Sequence, residues 1–235
     1  MEKKYRHEIK YVCTEQEFKM IEARISQICR KDPHVGENGI YAIRSVYFDD
    51  CDNSCFYQNE DGVNNREKFR IRIYNGDASR ITLECKQKVN GKNHKDSCQL
   101  TKEQCEAIIN GTFSWNMIAD YVPERGEKEV LNKFFLLYST RLMRAKVIVS
   151  YERTPFIYDT GNVRITFDRH ITGSGKVNDF LKDTVDGRPI MPVGQHILEV
   201  KYDELLPDVL NNAMQLGRLQ QATYSKYYIC RKFCG

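Results

Sequence analysis

The 235-residue sequence has no apolar run of about 18 residues, the length a membrane-crossing helix needs; its longest apolar block is Phe134 to Tyr138. The first residues, MEKKYRHEIKYV, are charged and alternating. They contain no apolar segment of signal-peptide type, so the expectation is a cytoplasmic protein. The nine cysteines include no C-x-x-C pair, and Cys51/Cys55 and Cys230/Cys234 have no histidine close in sequence. This spacing disfavours zinc, and an odd count without a secretion signal disfavours a disulfide framework. Reduced structural thiols remain. A large excess of one charge is also missing: 36 Lys and Arg against 32 Asp and Glu give a net charge of +4. Any strongly cationic site must therefore be local, gathered by the fold. No internal repeat, low-complexity tract or dividing linker is present, and no Ser-His-Asp or Cys-His arrangement suggests nucleophilic catalysis. One domain over 1–235 is expected.

What is present is alternation. In REKFRIRIY (66–74), Arg66, Lys68, Arg70 and Arg72 share one face, and Phe69, Ile71 and Ile73 share the other. A period of two is the mark of a strand. Residues 5–13, 43–49, 80–89, 145–153, 163–170 and 196–202 read the same way. Their polar faces are mostly Lys and Arg, with single acids at Glu8, Glu84, Glu152 and Glu199. Capping boxes at Thr14/Glu17 and Thr101/Gln104 open helices. Further helices are expected over 127–141, from Pro207 to about Leu219, and over 224–233, with a long loop across 171–195.

Both faces are satisfied if the strands roll up with their charges inside and the helices cover the apolar outside. A lumen of Arg and Lys with a few carboxylates suits a highly charged anion held with a divalent metal. Tyr47, Phe48, Phe69 and Tyr74 fall on both faces, so they form no stacking platform for nucleic acid.

The segments RHEIKY, SVYFDD, FRIRIY, LECKQK, SYERTPF, VRITFD, HILEVKYDELLP and SKYY resemble, in order and nearly end to end, the VTC domain of polyphosphate polymerases. That domain is a branch of the triphosphate tunnel metalloenzyme superfamily. The resemblance implies an α+β fold: a closed antiparallel β-barrel with a polar, basic lumen and helices packed outside. It implies transfer of the ATP γ-phosphate to inorganic polyphosphate with Mn2+ or Mg2+. Carried over by position, Lys10, Arg70, Arg72, Lys86, Arg153, Arg164 and Lys226 would bind phosphate. Glu199 would hold the metal, with the catalytic Lys201 on the same face. Arg6, Lys88 and Glu84 are further same-face candidates.

Several details are left for the fold to decide. Arg70 and Arg72 have no acid close in sequence, Glu84 is positioned to neutralise Lys86, and Arg153 needs a bulge or strand end to redirect it. The superfamily's opening Glu-x-Glu-x-Lys is here Arg6, Glu8 and Lys10, which favours the polymerase branch over a simple triphosphatase. Tunnel hydrolysis and non-catalytic binding of polyphosphate or RNA are the alternatives. Neither a phosphate-sensing domain nor membrane helices accompany these segments, which leaves room for a separate membrane partner. Oligomeric state is left open.

Overall fold

A computed structural model describes residues 4–36, 38–119, 127–215 and 218–235. The strands are β1 (His7–Thr14), β2 (Arg30–Lys31), β3 (Tyr41–Asp49), β4 (Arg66–Tyr74), β5 (Asp77–Val89), β6 (Lys92–Leu100), β7 (Arg144–Tyr158), β8 (Val163–Ser174), β9 (Arg188–Pro189), β10 (Gln195–Tyr202) and β11 (Gln220–Gln221). The helices are α1 (Glu15–Ile28), α2 (Ser54–Glu60), α3 (Lys102–Asn110), α4 (Asn116–Ala119), α5 (Glu127–Thr140), α6 (Asp208–Met214) and α7 (Lys226–Cys234). No helix among the described residues is long and apolar enough to cross a membrane.

One antiparallel sheet carries the fold, in the order β11-β1-β10-β8-β7-β3-β4-β5-β6. It curls until its flanks meet, but its ladder does not close into the expected barrel. A single bridge, Arg6 to Asn93, joins β1 to β6. Along Tyr11 and Val12 that edge of β1 is taken by β11 instead.

The outer face is apolar, as alternation requires. Phe48, Phe69, Ile71, Ile73, Leu83 and Cys85 pack under α3 and α5, with Phe134 at the centre. Phe134 meets the rings of Phe48, Phe69 and Tyr138 at centroid distances of 5.1, 5.3 and 6.0 Å. On the other flank, Phe18, Ile21 and Ile25 of α1 and Leu210 and Met214 of α6 cover Ile165, Phe167, Leu198 and Val200. Both capping boxes form. The helix expected to reach Leu219 is shorter, because Gln215 turns left-handed after Met214; residues 216–217 lie outside the described residues.

Three further expectations change. The last helix is not outside: Tyr227 and Cys230 of α7 pack on the inner face against Ile43, Val147, Val149 and Ile171, where the sheet's inner surface is apolar. The loop expected over 171–195 is interrupted, since β8 runs on to Ser174 and β9 pairs back onto it. The bulge nearest Arg153 sits in β8 rather than in β7, whose own irregularity lies at Lys146 opposite β3. The β7–β8 register slips by one between Ser150 and Glu152, and His170, at φ 50°, is the extra residue. β7 keeps simple alternation from Val147 through Tyr151 to Arg153, so Arg153 is inward without any kink. Glu152 points out, exposed and paired with His170.

Phe134 is fully buried. Phe134→Ala should cost about 3–5 kcal/mol of stability by urea unfolding; a loss under about 1 kcal/mol would show that α5 is not a principal support of the sheet.

Candidate functional site

The inner face and the first turn of α7 enclose a cavity of about 440 Å3. Its wall is assembled by strand register. Partners across an antiparallel pair point to the same side, so rows of side chains run around the curl. One row is Glu8–Lys201–Arg164, the next is Lys10–Glu199–Thr166. On the opposite wall Arg70 faces Glu84, and Lys68, Lys86 and Lys95 form a row across β4, β5 and β6. The cavity is lined by twelve Lys and Arg side chains against two carboxylates, Glu8 and Glu199.

The buried Asp32 pairs with Arg164 at 2.7 Å, and four more buried carboxylates distribute the rest of the charge. Glu84 takes Arg70 and Lys95, at 2.6 and 2.7 Å. Asp168 takes both Nε and an Nη of Arg153 (2.6 and 2.8 Å) and Lys226 (2.6 Å). Glu8 accepts Lys86 on both oxygens at 2.7 Å and Lys10 at 3.1 Å. Glu199 lies 2.9 Å from Lys201, 3.7 Å from Lys10 and 3.8 Å from Arg153. Burial pushes each carboxyl pKa up, but the surrounding cations outweigh it, and all four end below their ordinary values.

The lysine row behaves differently. Burial is the largest influence on Lys86 and brings it down to about 7, with Glu8 only partly offsetting. Burial, then Lys86, Arg66 and Lys10, hold Lys68 well below the usual lysine value. Among the described residues Lys68 has no carboxylate partner. Its ammonium meets Asn59 Oδ1, Ser225 Oγ and the ring of Tyr227.

Tyrosines complete the wall. Arg70 donates to Tyr47, Arg72 to Tyr151 and Arg164 to Tyr41, at 2.9, 3.2 and 3.0 Å. Arg72 also donates to Ser45 Oγ. Asp49 accepts the Tyr227 hydroxyl and two N–H groups at the start of α2, fixing α7 against the sheet.

No group of three His, Cys, Asp or Glu side chains able to hold a metal occurs among the described residues. The donors that fit a hard cation are oxygens: Glu199, Glu8, and Thr166 Oγ1, which is buried beside Glu199 in register and has no partner. Such a set suits Mg2+ or Mn2+ completed by ligand phosphates, since Mg2+ is usually held by one or two carboxylates with substrate oxygens.

The VTC domain family profile matches residues 5–234. The chain belongs to the VTC domain family. No curated protein sequence matches it. Its fold is shared with a Bacillus halodurans protein described as a proposed adenylate cyclase, at 16% identity over 96% of each chain with a TM-score of 0.53. It is shared too with a Hippeastrum protein, a proposed adenylyl cyclase with a dominant triphosphatase activity, at 12% identity over 98% of this chain and 97% of that one, with a TM-score of 0.56.

In this VTC domain, Lys10, Arg70, Arg72, Lys86, Arg153, Arg164, Glu199, Lys201 and Lys226 all line one cavity. Arg6 lines it too, tied to Asp203 at 2.9 Å. Lys88 does not. It lines a second cavity of about 560 Å3 beside Arg66, at the far end of the β4–β5 pair. Arg70 and Arg72 do have an acid: Glu84, adjacent in register though distant in sequence, which serves them and Lys95 rather than Lys86. The sequence does not single out Lys4, Lys95, Asp168, Tyr41 or Tyr151, and it places Lys68 on the cationic face of β4 without a role. Lys95 was detectable: Asn90-Gly91, both at positive φ, is the hairpin signal that pairs β6 with β5.

Because the four carboxyls titrate lower when folded, their contribution is complete above about pH 5 and is lost as pH falls through their depressed folded values. Glu84→Gln should cost about 3 kcal/mol at pH 7, by leaving buried cations uncompensated, and should flatten the fall in urea midpoint below pH 5. An unchanged acid limb would mean that Glu84 is not among the carboxylates that set acid stability.

Proposed function

We propose that this VTC domain is a polyphosphate polymerase, transferring the γ-phosphate of ATP to the end of an inorganic polyphosphate chain. The observation that carries the reading is the gathering of twelve cations in one cavity of a chain whose net charge is only +4. That concentration matches two polyanions brought end to end, whose mutual repulsion is the main obstacle to the reaction.

The acceptor's terminal phosphate oxygen is already ionised at neutral pH and needs no general base. It attacks the γ-phosphorus; the new P–O bond forms as the bond to the β–γ bridging oxygen breaks, and that oxygen leaves on ADP with the electron pair. Catalysis is then positioning and charge stabilisation. Arg70, Arg72 and Arg153 suit fixed phosphate contacts, because Glu84, Ser45 and Asp168 already orient their guanidinium groups. Lys10, Lys86, Lys201, Arg164 and Lys226 add charge along the wall. A divalent metal held by Glu199, with Glu8 and Thr166 nearby, would supply further neutralisation of phosphate charge.

Hydrolysis, with water in place of the acceptor, is the second reading.

Incubating the protein with ATP and Mn2+ and staining a gel for polyphosphate decides between them. A ladder of long chains is expected; phosphate without polymer would replace the polymerase reading with the hydrolytic one.

The roles of Glu199 and Lys226 separate in the same assay. Glu199→Gln should abolish the response of turnover to metal while tripolyphosphate still binds. Lys226→Ala should weaken tripolyphosphate binding and leave the metal response intact. A normal metal titration for Glu199→Gln would reduce Glu199 to a counter-ion for Lys201 and Lys10.

A further inference from the structure

Two buried tyrosines on the inner face of β3 hold a hydrogen that no described residue accepts. Tyr47 Oη accepts from Arg70 Nη1 at 2.9 Å, and Tyr41 Oη accepts from Arg164 Nη2 at 3.0 Å. Each ring is more than nine-tenths buried, and each lines the cavity. A phenol that accepts one hydrogen bond still has its own proton to donate. Tyr227 and Tyr228 spend theirs on carboxylates, Asp49 and Glu60; Tyr151 of β7, which accepts from Arg72, resembles the two tyrosines of β3. The hydroxyls of Tyr47 and Tyr41 each meet a guanidinium, and the Arg164 group also pairs with the buried Asp32; no described carboxylate accepts from either phenol, so the acceptor that suits them is an anion entering the cavity.

We propose that Tyr47 and Tyr41 bind the phosphate chain directly, each donating its hydroxyl hydrogen to a phosphate oxygen while accepting from the arginine beside it. This rests on reading the cavity as a phosphate site. The two hydroxyls are neutral donors set among charged ones. They strengthen binding without adding positive charge, and they select for a ligand that presents unprotonated oxygens at both places along β3.

The alternative role is purely positional: each hydroxyl steadies its arginine and never meets the ligand. The two roles differ in a double-mutant cycle. Tyr41→Phe keeps the ring and removes only the hydroxyl; Arg164, about one-third exposed, also pairs with the buried Asp32 at 2.7 Å, so the folding of its variants is checked directly. Calorimetric titration with inorganic tripolyphosphate, at two salt concentrations, is run on wild type, Tyr41→Phe, Tyr47→Phe, Arg164→Ala and Tyr41→Phe/Arg164→Ala, with thermal melts to verify folding. Each Tyr→Phe change should weaken binding by about tenfold, a neutral donor on a charged acceptor, and leave the salt dependence as in wild type. Arg164→Ala should lower the salt dependence, as loss of a cation from a polyanion site does. Tyr41→Phe should cost a similar factor with Arg164 absent. Wild-type affinity in both single variants, or a Tyr41→Phe effect that vanishes without Arg164, overturns the proposal. Failure of wild type to bind tripolyphosphate removes the phosphate reading of the cavity, a separate outcome that takes this proposal with it.

Discussion

The constraint on which the structure depends is the repulsion among cations turned toward one another inside a curled sheet. Two like charges 4 Å apart repel by about 4 kcal/mol at an effective dielectric of 20, and this fold gathers a dozen. The sheet answers with register. Across β1 and β10, Glu8 faces Lys201 and Lys10 faces Glu199; across β4 and β5, Arg70 faces Glu84; across β7 and β8, Arg153 faces Asp168. Acid faces base at each of these pairs, though Lys201 also neighbours Arg164 on β8, and each acid lies within reach of two or more bases. The longest run of one sign is the row Lys68–Lys86–Lys95, three like charges abreast. There burial outweighs attraction, and Lys68 and Lys86 carry lowered pKa values. The imbalance marks where an incoming anion gains most.

The supporting elements serve that arrangement. α7 enters the curl because the inner surface of β3 and β7 is apolar at Ile43, Val147 and Val149. The same packing delivers Lys226 to Asp168 and Ser225 to Lys68. The His170 bulge lets β8 present Arg164, Thr166 and Asp168 to the cavity and then Ile171 to α7. One extra residue thus switches a polar inner face to an apolar one without ending the strand. Outside, α1, α3, α5 and α6 supply an ordinary apolar cover, so the inner face is left to charge.

Most of this was legible wherever alternation joined charge to a hydrophobic partner face. β4 showed which of its residues face inward, as did the main part of β5 and both capping boxes. β6 was missed because Lys92 to Leu100 has only Cys98 and Leu100 on its apolar side; its partner strand and the Asn90-Gly91 turn define it, not its own composition. The ion-pair network was out of reach for a different reason. Glu84 is fourteen residues from Arg70 along the chain, and Asp168 fifteen from Arg153, yet each pair is adjacent across a ladder. Proximity in sequence says nothing of register. Strand-end behaviour was likewise hidden: Lys88 has the parity of Lys86, but lies beside Arg66 in another cavity.

Burial holds Lys68 and Lys86 below the usual lysine range, so a polyanion that raises them takes up protons as it binds. Lys86, brought down to about 7 by burial, rises when phosphate oxygens join Glu8 beside it, and Lys68 rises with it. Titrating the protein with tripolyphosphate at pH 8, in two buffers of different ionisation enthalpy, reads this directly. The account predicts tight binding with net proton uptake and an affinity that falls as pH rises. Binding without proton uptake, or with proton release, would contradict it.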